Sequence, residues 1–172
     1  MKKPFTLALI NSFSREDFVC VIGPVFEDSP WIAEGTWQTR PFKSVDLLHK
    51  ALCKTVQTST EDKQIDLIRA HPDLVGRAAL AGTLNPASTS EQASVGLNQL
   101  TEEEIGAFQK FNQSYRDKFG FPFVICARLN KKEAILKGFE ERLEHSRKEE
   151  IKTALAEIEK IAYLRLQDMI ES

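Results

Sequence analysis

The stretch FGFPFVICAR, residues 119–128, decides how the fold is read. Most of the chain carries its apolar residues at a helical period, but here glycine and two-sided apolar, β-branched residues interrupt the pattern. Such a run predicts a buried, extended segment. One extended segment alone has nothing to pair with and cannot form a sheet. The expectation is therefore an all-α fold, a single-domain bundle of about eight helices with one buried extended segment at 119–128.

Outward from that crossing, several helix starts carry Ser, Thr or Asn followed three residues later by an acid, the spacing of a capping box. Ser14 with Asp17 opens a helix toward Gly23-Pro24, and Pro30-Trp31 opens a short one ending near Gly35. Ser44 starts the next, with Val45, Leu48, Leu52 and Val56 on one face. Another runs from Thr60, with Ile65 and Ile68 inward, until Pro72 stops it. Residues 82–90, GTLNPASTS, read as a loop, after which Ser88 with Glu91 caps a short helix through Leu97. Thr101 with Glu104 opens a longer helix that turns Ile105, Phe108, Tyr115 and Phe119 inward. Asn130 with Glu133 and Ser146 with Glu149 open the last two. Connections are short and no repeat or linker is visible, so residues 1–172 are expected to form one domain.

The composition narrows the function classes. With 172 residues, 42% of them apolar, the chain has ample material for a single core. Its 23 basic and 25 acidic residues give a net charge of −2, which lacks the basic surface that phosphate backbones require, so nucleic acid is not an expected partner. No apolar run reaches the roughly 18 residues of a membrane span, and the start MKKPFTLALINSF has no small-residue cleavage site. Neither a membrane nor export is expected. Cys20, Cys53 and Cys126 are far apart and flanked by apolar residues, which reads as small buried hydrophobes and not as a disulfide framework.

Three places can carry chemistry. His71 follows the helix that Pro72 breaks, and a residue before proline is driven out of the α region, so its ring projects from a helix end. It is either a bystander to helix punctuation or a presented imidazole. ASTSEQ, residues 87–92, gathers donors and acceptors at a helix start, which serves either as a cap or as a seat for an anionic ligand. Arg165 falls within the apolar face formed by Ile151, Ala154, Leu155, Ile158, Ile161, Ala162 and Met169, where a charge must snorkel, pair with an acid or meet an anion. His49 reads as a hydrogen-bonded core residue and His145 as a cation at a helix C-terminus. Metal-ligand spacings, phosphate loops and nucleophile signatures are not found, so no metal site is expected. A non-catalytic helical interaction module, or a metal-dependent hydrolase built on His71, His49 and Glu91, stays open on the residues alone.

Five pieces of the chain, in order, resemble the 2-oxo-4-hydroxy-4-carboxy-5-ureidoimidazoline (OHCU) decarboxylase family: RPF at 40–42, AHPDLVGRAAL at 70–80, SxxEQASVGL at 88–97, FGFPFVICAR at 119–128 and EIEKIAYLRLQDMI at 157–170. The resemblance runs from about Phe13 to Ile170. It implies an all-helical, cofactor-free homodimer that decarboxylates OHCU to (S)-allantoin in urate degradation, with His71 as the catalytic histidine. By position it also implies substrate contacts at Pro72, at Ser88, Thr89, Ser90, Glu91 and Gln92, along the backbone of Phe123, Val124, Ile125, Cys126 and Ala127, and at Arg165. In the mechanism this suggests, His71 is the general acid/base, Glu91 sets its tautomer and charge, and Arg165 neutralises substrate charge. The terminal Ile170-Glu171-Ser172 is not a peroxisomal tripeptide, so a cytoplasmic location is expected.

Overall fold

The computed structural model describes residues 4–171. In chain order its elements are β1 (Phe5–Thr6), α1 (Leu7–Ser12), α2 (Arg15–Ile22), α3 (Trp31–Thr36), α4 (Val45–Gln57), α5 (Glu61–Ala70), α6 (Arg77–Leu80), α7 (Pro86–Ala93), α8 (Glu102–Phe119), α9 (Lys132–Leu143), α10 (Arg147–Met169) and β2 (Ile170–Glu171). Short 3₁₀ turns lie at Gly23–Phe26, Trp37–Thr39 and Ala127–Leu129. The fold is all-α, as the periodicity predicts. The additions to the expected elements are two short helices, α1 and α6, and a two-residue parallel pairing of β1 with β2, Phe5 opposite Ile170 and Thr6 opposite Glu171, too short to leave an alternating pattern. Among the described residues, no helix is long and apolar enough to cross a membrane.

The chain divides into two compact units, one built from residues up to Ala70 together with those from Glu159 onward, the other from His71 to Ile158. In the first, α3 packs on α2 and α4, around Phe18, Ile22, Ile32, Leu48 and Leu52, all fully buried. Gly35 permits that approach, since a β-carbon there would stand 2.9 Å from Thr55 Cγ2, beside the 2.7 Å hydrogen bond between the Thr36 and Thr55 hydroxyls. The RPF triplet is a structural tie. Arg40 donates from Nη1 to the Asn11 carbonyl at 2.9 Å and from Nε to the Trp37 carbonyl at 2.9 Å, and Asn11 exchanges two 2.8 Å hydrogen bonds with the Phe42 backbone.

In the second unit α8 ends at Gly120, whose φ of +78° is the left-handed conformation that glycine adopts without strain. Residues 121–126 then run without helix or strand and are buried except for half-buried Ile125. Phe123 stacks on Phe139 with ring centroids 3.8 Å apart and meets Tyr115 edge-on at 5.3 Å. Backbone groups outside regular structure need other partners, and side chains supply them. Arg142 Nη1 donates to the Val124 carbonyl at 2.7 Å. The Cys126 amide donates to Glu157 at 2.8 Å, and Asn130 Nδ2 donates to the Cys126 carbonyl at 2.9 Å. Behind this, Glu150, with no exposed surface, accepts from Arg142 Nε at 2.9 Å and His145 Nδ1 at 2.8 Å, and from the Tyr115 hydroxyl. Burial pushes the Tyr115 phenol well above its ordinary range.

Ser14, Ser44 and Thr101 cap α2, α4 and α8 as the spacing predicts, Thr101 and Glu104 forming a full reciprocal box, and Ser146 with Glu149 forms the same reciprocal pair before α10. Two starts differ. α7 begins at Pro86, not after Ser88, because Asn85 accepts from the Ser88 amide at 2.8 Å and Pro86 is preset for the first helical position. Ser88 is therefore inside the helix, which ends at Ala93 instead of Leu97. α9 has no side-chain cap, because the Asn130 amide is turned to the Cys126 carbonyl. Cys53 and Cys126 are buried as expected, whereas Cys20 is exposed.

Candidate active site

α5 stops at Ala70, and His71 directly after it is 5% exposed. The break that proline imposes thus leaves the imidazole buried and not turned to solvent. The residues that follow form a turn with neither helical nor strand pairing, and side chains from two helices occupy its peptide groups. Gln92 on α7 accepts from the Val75 amide at 3.0 Å and donates to the Asp73 carbonyl at 3.4 Å. Asn112 on α8 donates to the Leu74 carbonyl at 2.8 Å. One turn further along α8, Arg116 Nε sits 3.1 Å from both Asp73 carboxylate oxygens. The turn is tight enough that a β-carbon on Gly76 would lie 2.7 Å from Asp73 Cβ.

Val75 in this turn has φ of +52°, although it is β-branched and 1% exposed. Such a backbone is a genuine outlier for a β-branched residue and persists only where surrounding contacts over-determine it. Among the described residues, Glu27 is the one other non-glycine at positive φ, +37°. Glu27 is the partner of Arg165. In the first unit Arg165 Nη2 donates to Glu27 Oε1 at 2.8 Å and Nη1 to the Val25 carbonyl at 3.3 Å, with side chains 9% and 7% exposed. Of the alternatives open for this arginine, pairing with an acid is realised. Both strained residues thus stand next to a side chain that the sequence singles out.

Along α7, Ser88 and Gln92 are buried and Glu91 is half-buried, while Thr89 and Ser90 face solvent. The ASTSEQ residues therefore divide between two faces of a helix, and α7 packs on the 3₁₀ turn at Ala127–Leu129. Three predicted pieces are thereby assembled in the second unit: the turn after His71, α7, and the end of the extended segment. Phe123, Val124, Cys126 and Ala127 are buried and Ile125 half-buried. Between the turn after His71 and α7 a cavity of ≈ 290 Å³ is lined by Val75, Leu84, Gln92, Ala93, Leu97 and Ile105 among others, but by neither His71 nor Glu91. It explains why Ile105 is only half-buried.

Asn112, Arg116 and Glu27 are not among the sequence-predicted residues. Asn112 was open to discovery, since it lies four residues after Phe108 and three before Tyr115, on the same buried face of α8. Glu27 carries no such mark, being 138 residues from its arginine.

His49 is hydrogen-bonded as expected, with Nε2 donating to the Glu159 carbonyl at 2.8 Å and lying 3.3 Å from Cys53 Sγ. The pair is not an activated nucleophile. Burial, and then the Glu159 charge, pushes the Cys53 thiol up to about 12, so it stays protonated at neutral pH. In iodoacetamide at pH 8, exposed Cys20 is expected to be alkylated while Cys53 stays unmodified until the protein unfolds; peptide mass mapping over time checks this.

The class defined by these features is an all-α protein with a buried extended crossing and a side-chain-clamped turn at a helix break. The family model described as OHCU decarboxylase matches residues 11–167, and the chain belongs to that family. It is 42% identical over 164 residues to the 2-oxo-4-hydroxy-4-carboxy-5-ureidoimidazoline decarboxylase of Halalkalicoccus jeotgali, a match covering 95% of this chain and 91% of that protein. It is 38% identical to a uric acid degradation bifunctional protein of a Bacillus species, covering 95% of this chain and 32% of the other. Among solved structures, the crystal structure of (S)-allantoin synthase superposes with a TM-score of 0.78 at 26% identity, over 97% of this chain and 55% of that one.

Proposed function

We propose that the chain is an OHCU decarboxylase, a carboxy-lyase that releases CO₂ from 2-oxo-4-hydroxy-4-carboxy-5-ureidoimidazoline and forms (S)-allantoin in urate degradation. The observation that carries this reading is the extent of the family match, unbroken from residue 11 to residue 167 and spanning both compact units. The same extent supports treating residues 1–172 as one catalytic domain.

The substrate has a ring carbon bearing both a carboxylate and a hydroxyl, next to a C=N. When the C–C bond to the carboxylate breaks, its electron pair forms a C=C bond to the ureido-bearing carbon and the C=N pair moves onto nitrogen, which takes up a proton, leaving an enol. The enol hydroxyl then gives up its proton as it becomes a carbonyl, and one proton is added to a single face of the ureido-bearing carbon. The ring is its own electron sink, so the reading assigns no cofactor. What the protein supplies is orientation, charge stabilisation and a placed proton donor.

His71 takes the acid/base role. Its burial at a helix break supports this, because an imidazole shielded from water exchanges protons with a bound substrate and not with solvent. Glu91, half-buried on the helix that clamps the neighbouring turn, sets the imidazole's tautomer and charge. Arg165 is assigned to the substrate's anionic charge. Pro72, the Ser88–Gln92 segment and the backbone of residues 123–127 are assigned to substrate contact, with a homodimer in the cytoplasm as the working form.

The direct test adds the protein to OHCU freshly generated by urate oxidation and hydrolysis, and follows (S)-allantoin by circular dichroism. Faster appearance of one enantiomer than in the protein-free reaction is expected. A rate and optical signal equal to the protein-free control would overturn the function.

A further inference from the structure

We infer that Asn112 is a positioning residue of this site, holding the turn after His71 in its strained form in concert with Gln92. The inference rests on the proposed role of His71. Three consecutive residues, Asp73, Leu74 and Val75, each have a backbone group bonded to one of these two amides. Pro72, the one residue between His71 and the clamped part, has its φ locked by its ring, so the link from clamp to imidazole is short and stiff. Val75 would relax from φ of +52° without such restraint.

Stability does not explain the asparagine. It is 6% exposed, and while Nδ2 is engaged by Leu74, Oδ1 is buried with no hydrogen-bond partner among the described residues. The unpaired Oδ1 offsets much of what Nδ2 gains by serving the Leu74 carbonyl, so the amide contributes little net stability. Its neighbours on that face of α8, Phe108, Tyr115 and Phe119, are large and aromatic, so an apolar residue would suit the packing. The one bond it makes is to the turn, which points to a role in geometry.

The test compares Asn112→Leu with wild type for kcat, KM and thermal stability, with His71→Asn run alongside. Asn112→Leu is expected to lower kcat per folded molecule by roughly 10- to 100-fold, the effect of displacing a catalytic group by a fraction of an ångström to one ångström, with KM within about twofold and a Tm lowered by a few degrees at most, since the Leu74 carbonyl loses this donor. A merely structural asparagine would instead show an unchanged kcat per folded molecule, which overturns the inference. So would a loss confined to KM. Should the leucine variant not fold, Asn112→Ala removes the donor to Leu74 without adding bulk or charge, and kcat per folded molecule and KM are read by the same criteria. Should His71→Asn be inactive while the Asn112 variant keeps its kcat, the positioning role alone falls. Should His71→Asn keep wild-type kcat, the role of His71 itself falls.

Discussion

His71→Asn is expected to lower kcat by roughly 10²- to 10⁴-fold, the range that a placed proton donor contributes. On the proposed mechanism the imidazole must accept and return a proton near neutral pH, and a carboxamide cannot. Asparagine retains hydrogen-bonding capacity and fits the site left by the ring, so the 5% exposed position is not left with an uncompensated polar cavity. Helix content and Tm should therefore stay close to wild type, which separates loss of chemistry from loss of fold. Single-turnover assays on fresh substrate, with far-ultraviolet circular dichroism of the same sample, give both readings. A kcat within threefold of wild type would remove His71 from the reaction.

Arg165→Met is expected to act on stability as strongly as on binding. Glu27 has a 7% exposed side chain and lies 2.8 Å from the guanidinium, so truncating the arginine leaves a buried carboxylate without that cation. Breaking a buried pair in this way costs about 3–5 kcal/mol, or a fall in Tm of about 10 °C for a chain of this length. Adding Glu27→Gln removes the stranded charge, and the double variant should recover much of the lost stability. It should not recover substrate affinity, because the proposed function gives the substrate's anionic charge to Arg165. Thermal melts of the single and double variants, with KM for each, form the test. A single variant as stable as wild type would show that the pair contributes no net stability.

How far the sequence could be read differs from element to element for physical reasons. Ser14, Thr101 and Ser146 announced their helices, because a cap and its acid are three residues apart and act within one turn, and Ser44 did so as a cap just before an apolar-periodic run. The same local logic misplaced the start of α7, where two signals competed and Asn85-Pro86 outranked Ser88. It also misassigned Asn130, whose amide serves the Cys126 carbonyl. The buried segment at 121–126 was legible from its two-sided apolar residues. The means of satisfying its backbone was not, since Arg142 and Glu157 reach it from helices that begin well beyond it.

The sequence by itself determined the helical class, most helix starts, the buried crossing, the break that presents His71 and the presence of a charge on the apolar face of α10. Each follows from interactions within about a turn or from a periodic pattern along one element. Only the tertiary structure decided that Arg165 answers Glu27, that Gln92 and Asn112 clamp the turn after His71, and that Glu27 and Val75 carry backbone strain. Such pairings join residues up to 138 positions apart. A side chain's partner at that range is set by which helices pack together, and no local propensity or spacing encodes it.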